Sequence, residues 1–281
     1  MAAKPDGSLA RHAARAACLI LLLTTSAAAQ QEPQQLYVPP PPGPEFFSRF
    51  DFRMSVESLS PPKDTPAEQA DERFSWDTRF GGSFDVVDLV RLRAGAIVDF
   101  EAVEGSQYRP FDPNQGNYTL EAFVSGRVAD SEVGAFLHHV SRHLSDRPKI
   151  ESVAWNELGV RVLHHFAPTA ATVDVDAEAG YVTEHAFVDY VWLSELKVLV
   201  RHPVSPRIGI FANGCAQLFG TNEAVAGRGT QVGYVIDGGV RLGGHGGFLE
   251  LYLGYERRVD AYPLDRVPQH WGLAGLRLVG R

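Results

Sequence analysis

From Phe47 to the C-terminus, apolar and polar residues alternate with a period of two. Phe50, Phe52, Met54 and Val56 interleave with Asp51, Arg53, Ser55 and Glu57. Tyr118, Leu120, Ala122 and Val124 interleave with Thr119, Glu121 and Ser125, and Leu249, Leu251, Leu253 and Tyr255 with Glu250, Glu256 and Arg258. Such alternation sends one set of side chains to each face of a strand. A soluble sandwich alternates too, but its strands usually run ~5–6 residues. Here the runs are long, as tilted membrane strands of ~10 residues must be. Their polar face carries both signs of charge, and Tyr, Trp and Phe gather near the strand ends, as in the girdles of a membrane barrel.

The pattern predicts strands over 47–59, 72–85, 90–103, 116–129, 132–143, 153–166, 171–182, 185–201, 207–219, 229–243, 247–260 and 270–280. The region 171–201 also reads as one bent strand. The gaps alternate between long and short, with Thr183-Glu184 a short exception on the outer side. Long outer loops and short periplasmic turns are the habit of outer-membrane barrels. The expectation is an all-β fold, an antiparallel transmembrane β-barrel of about twelve strands with both ends in the periplasm.

The preceding segment reads as an address. Lys4, Arg11 and Arg15 are followed by an apolar run from Ala16 to Leu23 and by Ala27-x-Ala29. The run is too short for a spanning helix, which needs ~20 apolar residues; residues 1–29 are expected to be a cleaved signal peptide. Residues 30–46 are rich in proline and read as a periplasmic tether, leaving the barrel over 47–281. Cys18 departs with the signal, so Cys215 is alone and no intrachain disulfide is expected. A formal net charge of -8 excludes nucleic acid as a natural partner. Outer-membrane lipids and the barrel-assembly machinery are the implied partners. The chain ends Leu278-Val279-Gly280-Arg281, without the terminal aromatic that many such barrels carry.

The lumen face is charged but balanced. Asp51, Glu57, Asp77, Asp99, Glu101, Glu121, Glu157, Glu195, Asp237 and Glu250 are set against Arg53, Arg79, Arg91, Arg93, Arg127, Arg161, Lys197, Arg241 and Arg258. A selective channel has one dominant sign at its constriction. Balance suggests cross-lumen ion pairs, hence a filled scaffold ahead of a narrow pore.

Candidate chemistry concentrates in Leu137-His138-His139-Val140-Ser141-Arg142-His143-Leu144-Ser145-Asp146. His139 and Ser141 share the lipid-facing parity of Val133, Ala135 and Leu137. Asn156, in step with Leu158, Val160 and Val162, faces lipid on the next strand, roughly opposite His139. A Ser, His and Asn on one face can form a hydrolase triad, in which His takes the serine proton and Asn holds the imidazole tautomer. The competing reading is a set of polar residues tolerated at a membrane interface. His139 and His143 have the spacing of a helical zinc pair, but a strand separates them by ~13 Å. His164 and His165 suggest a structural role, Gly-Gly-His-Gly-Gly at 243–247 a tight turn, and Cys215 a lumen space-filler.

The arrangement resembles the outer-membrane phospholipase A family, twelve-stranded barrels with a His-x-Ser on one strand and an Asn on the next. The resemblance implies calcium-dependent acyl-ester hydrolysis, with His139 as base, Ser141 as nucleophile and Asn156 as orienting residue. Ser145 and Asp146 are loop oxygens in about the place of a calcium ligand. The match departs after Ser141, where Arg142-His143-Leu144 replaces Asn-Gly-Arg. The stretch is also similar to the pattern His-x-Ser-Ser-His-Leu-Gly-Asp of a family of uncharacterised bacterial barrel proteins. Three readings stand: an envelope scaffold, a lipid acyl-ester hydrolase and a narrow small-solute channel.

Overall fold

Each alternating run forms a strand. The computed structural model describes residues 37–280 apart from 64–70, 146, 149, 150 and 169. The expected signal peptide and most of the tether lie outside the described residues. Twelve strands follow in order: β1 Glu45–Ser60, β2 Trp76–Asp88, β3 Leu92–Gly105, β4 Asp112–Val128, β5 Ser131–Leu144 and β6 Val153–Phe166, then β7 Thr172–Ala186, β8 Tyr190–Pro203, β9 Ile208–Thr221, β10 Gln231–Gly243, β11 Gly247–Arg258 and β12 Gln269–Gly280. A single turn of helix, α1 Glu223–Ala226, interrupts the connection before β10.

Each strand pairs antiparallel with its sequence neighbours, and β1 pairs with β12 from Arg53↔Val279 to Ser60↔Gly272, which closes the barrel. Closure leaves no unpaired edge, the condition for strands to exist in lipid. The strands run from 12 residues in β11 and β12 to 17 in β4, ample for a tilted crossing.

The region 171–201 is two strands. The turn between them is Phe187–Asp189, beyond the expected Thr183-Glu184. Strand β2 begins at Trp76, later than its alternation predicts, because Phe74 turns into an apolar cluster with Leu59, Val103, Trp271 and Leu273. Connections 61–75, 106–111, 145–152, 187–189, 222–230 and 259–268 share one end, called here the outer end; turns 89–91, 129–130, 167–171, 204–207 and 244–246 share the other.

The outside is an apolar belt, with Leu137, Leu158, Val160, Ile236 and Leu253 exposed. The inside is a web of paired charge. Arg258 donates to Asp77 at 2.6 Å and Glu256 at 2.8 Å, Arg161 to Glu121 at 2.9 Å, and Arg277 to Glu250 at 2.9 Å. Buried charge persists only when paired in this way. Arg91 does not take part; it is exposed in the turn between β2 and β3, because β3 starts after it. Asp176, Glu178, Glu256 and Arg277 join the web beyond the expected set.

Chain enters the barrel at both ends. At the outer end, the connection 259–268 folds inward and buries Val259 and Ala261. Arg142 donates to the carbonyls of Asp260 at 2.6 Å and Ala261 at 2.9 Å, and Gln115 donates to Ala261 at 3.0 Å. At the inner end, Tyr37 packs on the lumen cluster of Leu163, Leu199, Phe211 and Tyr252 and stacks on His165 at 4.4 Å between ring centroids. A cavity of about 80 Å³ remains beneath the outer cap, lined by His138, Arg142, Trp155 and Gln217 among others.

Candidate functional site

Strands β5 and β6 carry the expected triad on the outer surface. Val133, Ala135 and Leu137 of β5 point outward, and His139 and Ser141 follow the same parity, while His138 and Arg142 turn into the lumen and are buried. On β6, Asn156 is outward between buried Trp155 and Glu157. The register pairs His139 directly with Asn156.

The two side chains meet, with His139 Nδ1 2.6 Å from Asn156 Oδ1. Asn156 in turn donates from Nδ2 to Glu184 Oε2 at 3.1 Å. This chain of contacts fixes a proton. Glu184, as a carboxylate, can only accept, so the amide presents its NH2 to Glu184 and its oxygen to His139. In this arrangement Nδ1–H of His139 donates to Asn156 Oδ1, and Nε2 is the ring nitrogen left for other partners. An imidazole held in that tautomer is a ready base.

Glu184 reaches Asn156 because of a bulge. The β6–β7 register steps from Asn156↔Glu184 to Glu157↔Val182, so Thr183 is the extra residue. Up to Val182 the even-numbered residues of β7 face the lumen; Asp174, Asp176 and Glu178 are buried there. The extra residue inverts the parity and turns Glu184 outward. Re-aiming a side chain is a recurrent use of β-bulges. The sequence reading placed Thr183-Glu184 in a turn, whereas β7 runs on to Ala186 and the bulge carries Glu184 outward within the strand.

Ser141 is placed differently from expectation. Its Oγ is 2.9 Å from His143 Nε2, so the serine hydroxyl is shared with the histidine two residues on. His143 also meets Tyr118 edge-on, at 5.4 Å between centroids. The structure thus brings His139 to Asn156, and Ser141 to His143, on one continuous face. Sequence reasoning weighed His143 only as a zinc ligand; its outward parity and its place at the far side of Ser141 were the signal for a second imidazole.

Of the two expected calcium oxygens, only Ser145 is among the described residues; Asp146 lies outside them. The Ser145 carbonyl accepts from the Arg147 guanidinium at 3.1 Å, and a fixed positive charge is a poor neighbour for calcium. Among the described residues no group of three His, Cys, Asp or Glu side chains is arranged for a metal ion.

The remaining candidates have structural partners or simple packing roles. His164 Nδ1 meets Ser131 Oγ at 2.7 Å and His165 Nδ1 meets Asp174 at 2.5 Å. Cys215 is free and buried in the lumen wall. Residues 244–246 form the tight turn between β10 and β11.

No protein-family model matches the chain, and no curated protein matches it in sequence. Solved structures do match in shape. An outer-membrane channel from Pseudomonas putida F1 superposes with a TM-score of 0.54 at 12% identity, covering 89% of this chain and 99% of that one. The outer-membrane phospholipase A of Escherichia coli superposes with a TM-score of 0.50 at 13% identity, covering 82% and 92%. The calcium-bound dimer of the Salmonella typhi phospholipase gives 0.50 at 13%, covering 82% and 90%. The chain has an outer-membrane barrel fold. At these identities the likeness is one of fold, and the same fold serves a channel and a phospholipase.

Proposed function

We propose that this barrel hydrolyses acyl esters of membrane lipids at its lipid-facing outer rim. Ser141 is the nucleophile, His139 the base and Asn156 the orienting residue, with Glu184 as a positioning residue behind Asn156. The observation that carries this reading is the hydrogen-bonded run His139–Asn156–Glu184, two residues from a serine already bound to an imidazole, on the surface that lipid touches. Polar groups on the lipid face of a strand are costly without a task, and five of them converge here.

The steps balance without further reagents. Ser141 Oγ attacks the ester carbonyl carbon as His139 Nε2 takes its proton. The C–O bond to the lipid alcohol breaks, and the imidazolium returns the proton to the leaving alkoxide. A water then attacks the acyl-serine, losing a proton to the same nitrogen and restoring Ser141 as the fatty acid departs. In the resting arrangement His143 holds the serine hydroxyl; rotation about the Ser141 side chain would carry Oγ toward His139. Catalytic hydrogen bonds often align only once substrate is bound. No step is drawn through calcium.

The test is hydrolysis of phospholipid in mixed micelles by the purified, refolded barrel, with and without added calcium, wild type beside Ser141→Ala. Release of fatty acid that vanishes in the variant supports the proposal. A folded wild type that releases none under either condition overturns it. The filled lumen favours a second reading, an envelope scaffold with no chemical step. That reading predicts no hydrolysis and no single-channel conductance, whereas steady conductance would speak for the narrow channel.

A further inference from the structure

Among the described residues, every strand arginine of this barrel but one has a polar partner within the protein. Arg49, Arg53, Arg79, Arg93, Arg127, Arg161, Arg201, Arg241, Arg258 and Arg277 each pair with a carboxylate. Arg142 spends its guanidinium on the carbonyls of the outer cap. Arg257 is the exception. Its neighbours Glu256 and Arg258 are buried in the lumen, so Arg257 projects outward. Among the described residues it makes no ion pair or hydrogen bond.

Its surroundings are donors and aromatic rings. In register, Tyr234 lies opposite Arg257 on β10 and His270 lies opposite on β12. Tyr255, two residues back on the same face, stacks with Tyr234 at 5.8 Å between centroids, and its hydroxyl lies 3.4 Å from His270 Nδ1. Away from the outer end, Leu253 and Ile236 are exposed on the same face, at 71% and 53%. The cluster sits at the last residues of β11 before the outer connection. On the closed ring this is half-way round from Ser141 on β5.

We propose that Arg257, with Tyr234, Tyr255 and His270, binds the phosphate of an anionic lipid headgroup in the outer leaflet. A guanidinium fork matches phosphate oxygens two at a time. Phenol and imidazole N–H or O–H groups can supply further donors. The exposed Leu253 and Ile236 take the acyl chains, which commits the site to a membrane lipid over a soluble anion. A tyrosine girdle alone explains the rings; it does not explain an uncompensated arginine held between them. The site is independent of the proposed hydrolysis.

The test is native mass spectrometry of the full barrel released from non-ionic detergent, carried in a Ser141→Ala background so that an ester probe survives. The probe is dimyristoyl phosphatidic acid; diacylglycerol and inorganic phosphate are the controls. Arg257→Gln should lower the lipid-bound fraction by about tenfold, while Arg257→Lys retains part of it because charge survives but the fork does not. Lys63→Gln, at an exposed outer-loop cation, should leave binding unchanged. Heat-modifiable migration confirms that each variant is folded. Equal loss in Lys63→Gln and Arg257→Gln would reduce the effect to general surface charge and overturn the site. Diacylglycerol binding as well as the acid, or displacement by an equimolar amount of inorganic phosphate, would overturn it too.

Discussion

Ser141 has an imidazole on either side of it along one strand, and the two are not equivalent. His139 is oriented through Asn156 by Glu184, whereas His143 holds the serine hydroxyl and meets Tyr118 edge-on. Ser141→Ala is expected to lower lipid hydrolysis by about 10³-fold or more while leaving folded, heat-modifiable migration intact, because only a rim hydroxyl is lost. His139→Ala should cost about 10²-fold or more, and His143→Ala clearly less; the reverse ranking in a lipid-micelle assay would make His143 the base. Glu184→Gln can present an amide NH2 in place of an acceptor, which lets Asn156 flip and the His139 tautomer with it. It should therefore lower kcat with little change in KM, and Glu184→Asp should restore part of the loss.

The decisive elements are a bulge and a cap. Without Thr183 in excess, β7 would offer no outward carboxylate to Asn156. The cap is the connection 259–268, which carries Asp260 at φ 46° and Arg266 at φ 52°. Left-handed backbone at non-glycine residues needs support from its surroundings, and both residues have it. Tyr190 donates to Asp260 at 2.6 Å, Arg228 joins Asp260 to Asp189 at 2.7 Å each, and Arg266 donates to the Phe187 carbonyl at 2.5 Å. Burial pushes the Asp189 carboxyl up, but the hydrogen bonds and charge of Arg228 prevail and hold it below its ordinary value. A depressed carboxyl stabilises fully above its unfolded value, near ~3.9, and its contribution fades as pH falls through the lower folded value. Amide protection of the cap, corrected for intrinsic exchange, should stay level from neutral pH to about pH 4 and fall below that. Arg228→Gln should loosen the cap at neutral pH by ~2 kcal/mol in the same measurement.

At the scale of the whole molecule, the lumen is a core made of ions. Lys197 is fully buried, bonded to Glu178 at 3.3 Å and paired with Glu195. Lys197→Met would leave those carboxylates without their shared cation. It should destabilise the barrel by ~3–5 kcal/mol, seen as a lower midpoint in urea titration of the refolded protein. Replacing the exposed Lys63 should not move that midpoint. The same web, with the inward-folded cap, narrows the lumen along its axis.

The sequence by itself determined the barrel. A period of two, sustained across long runs with both signs of charge on one face, has few ways to satisfy its backbone other than a closed membrane sheet, and the strand positions followed from it to within a few residues at most ends. It also determined that His139, Ser141 and Asn156 share a face, because parity along a strand is local. Tertiary structure alone decided what depends on register and loops. Which imidazole meets Ser141 is a matter of side-chain packing on one strand. Glu184 points outward only because the bulge shifts one strand against its partner. Phe74 leaves its alternating run because a cluster at the barrel mouth buries it, and the connection 259–268 enters the lumen because Arg142 and Gln115 wait there for its carbonyls. Periodicity records which face a residue takes while pairing is regular; it carries no record of the places where pairing breaks, and those places build the rim site and the cap.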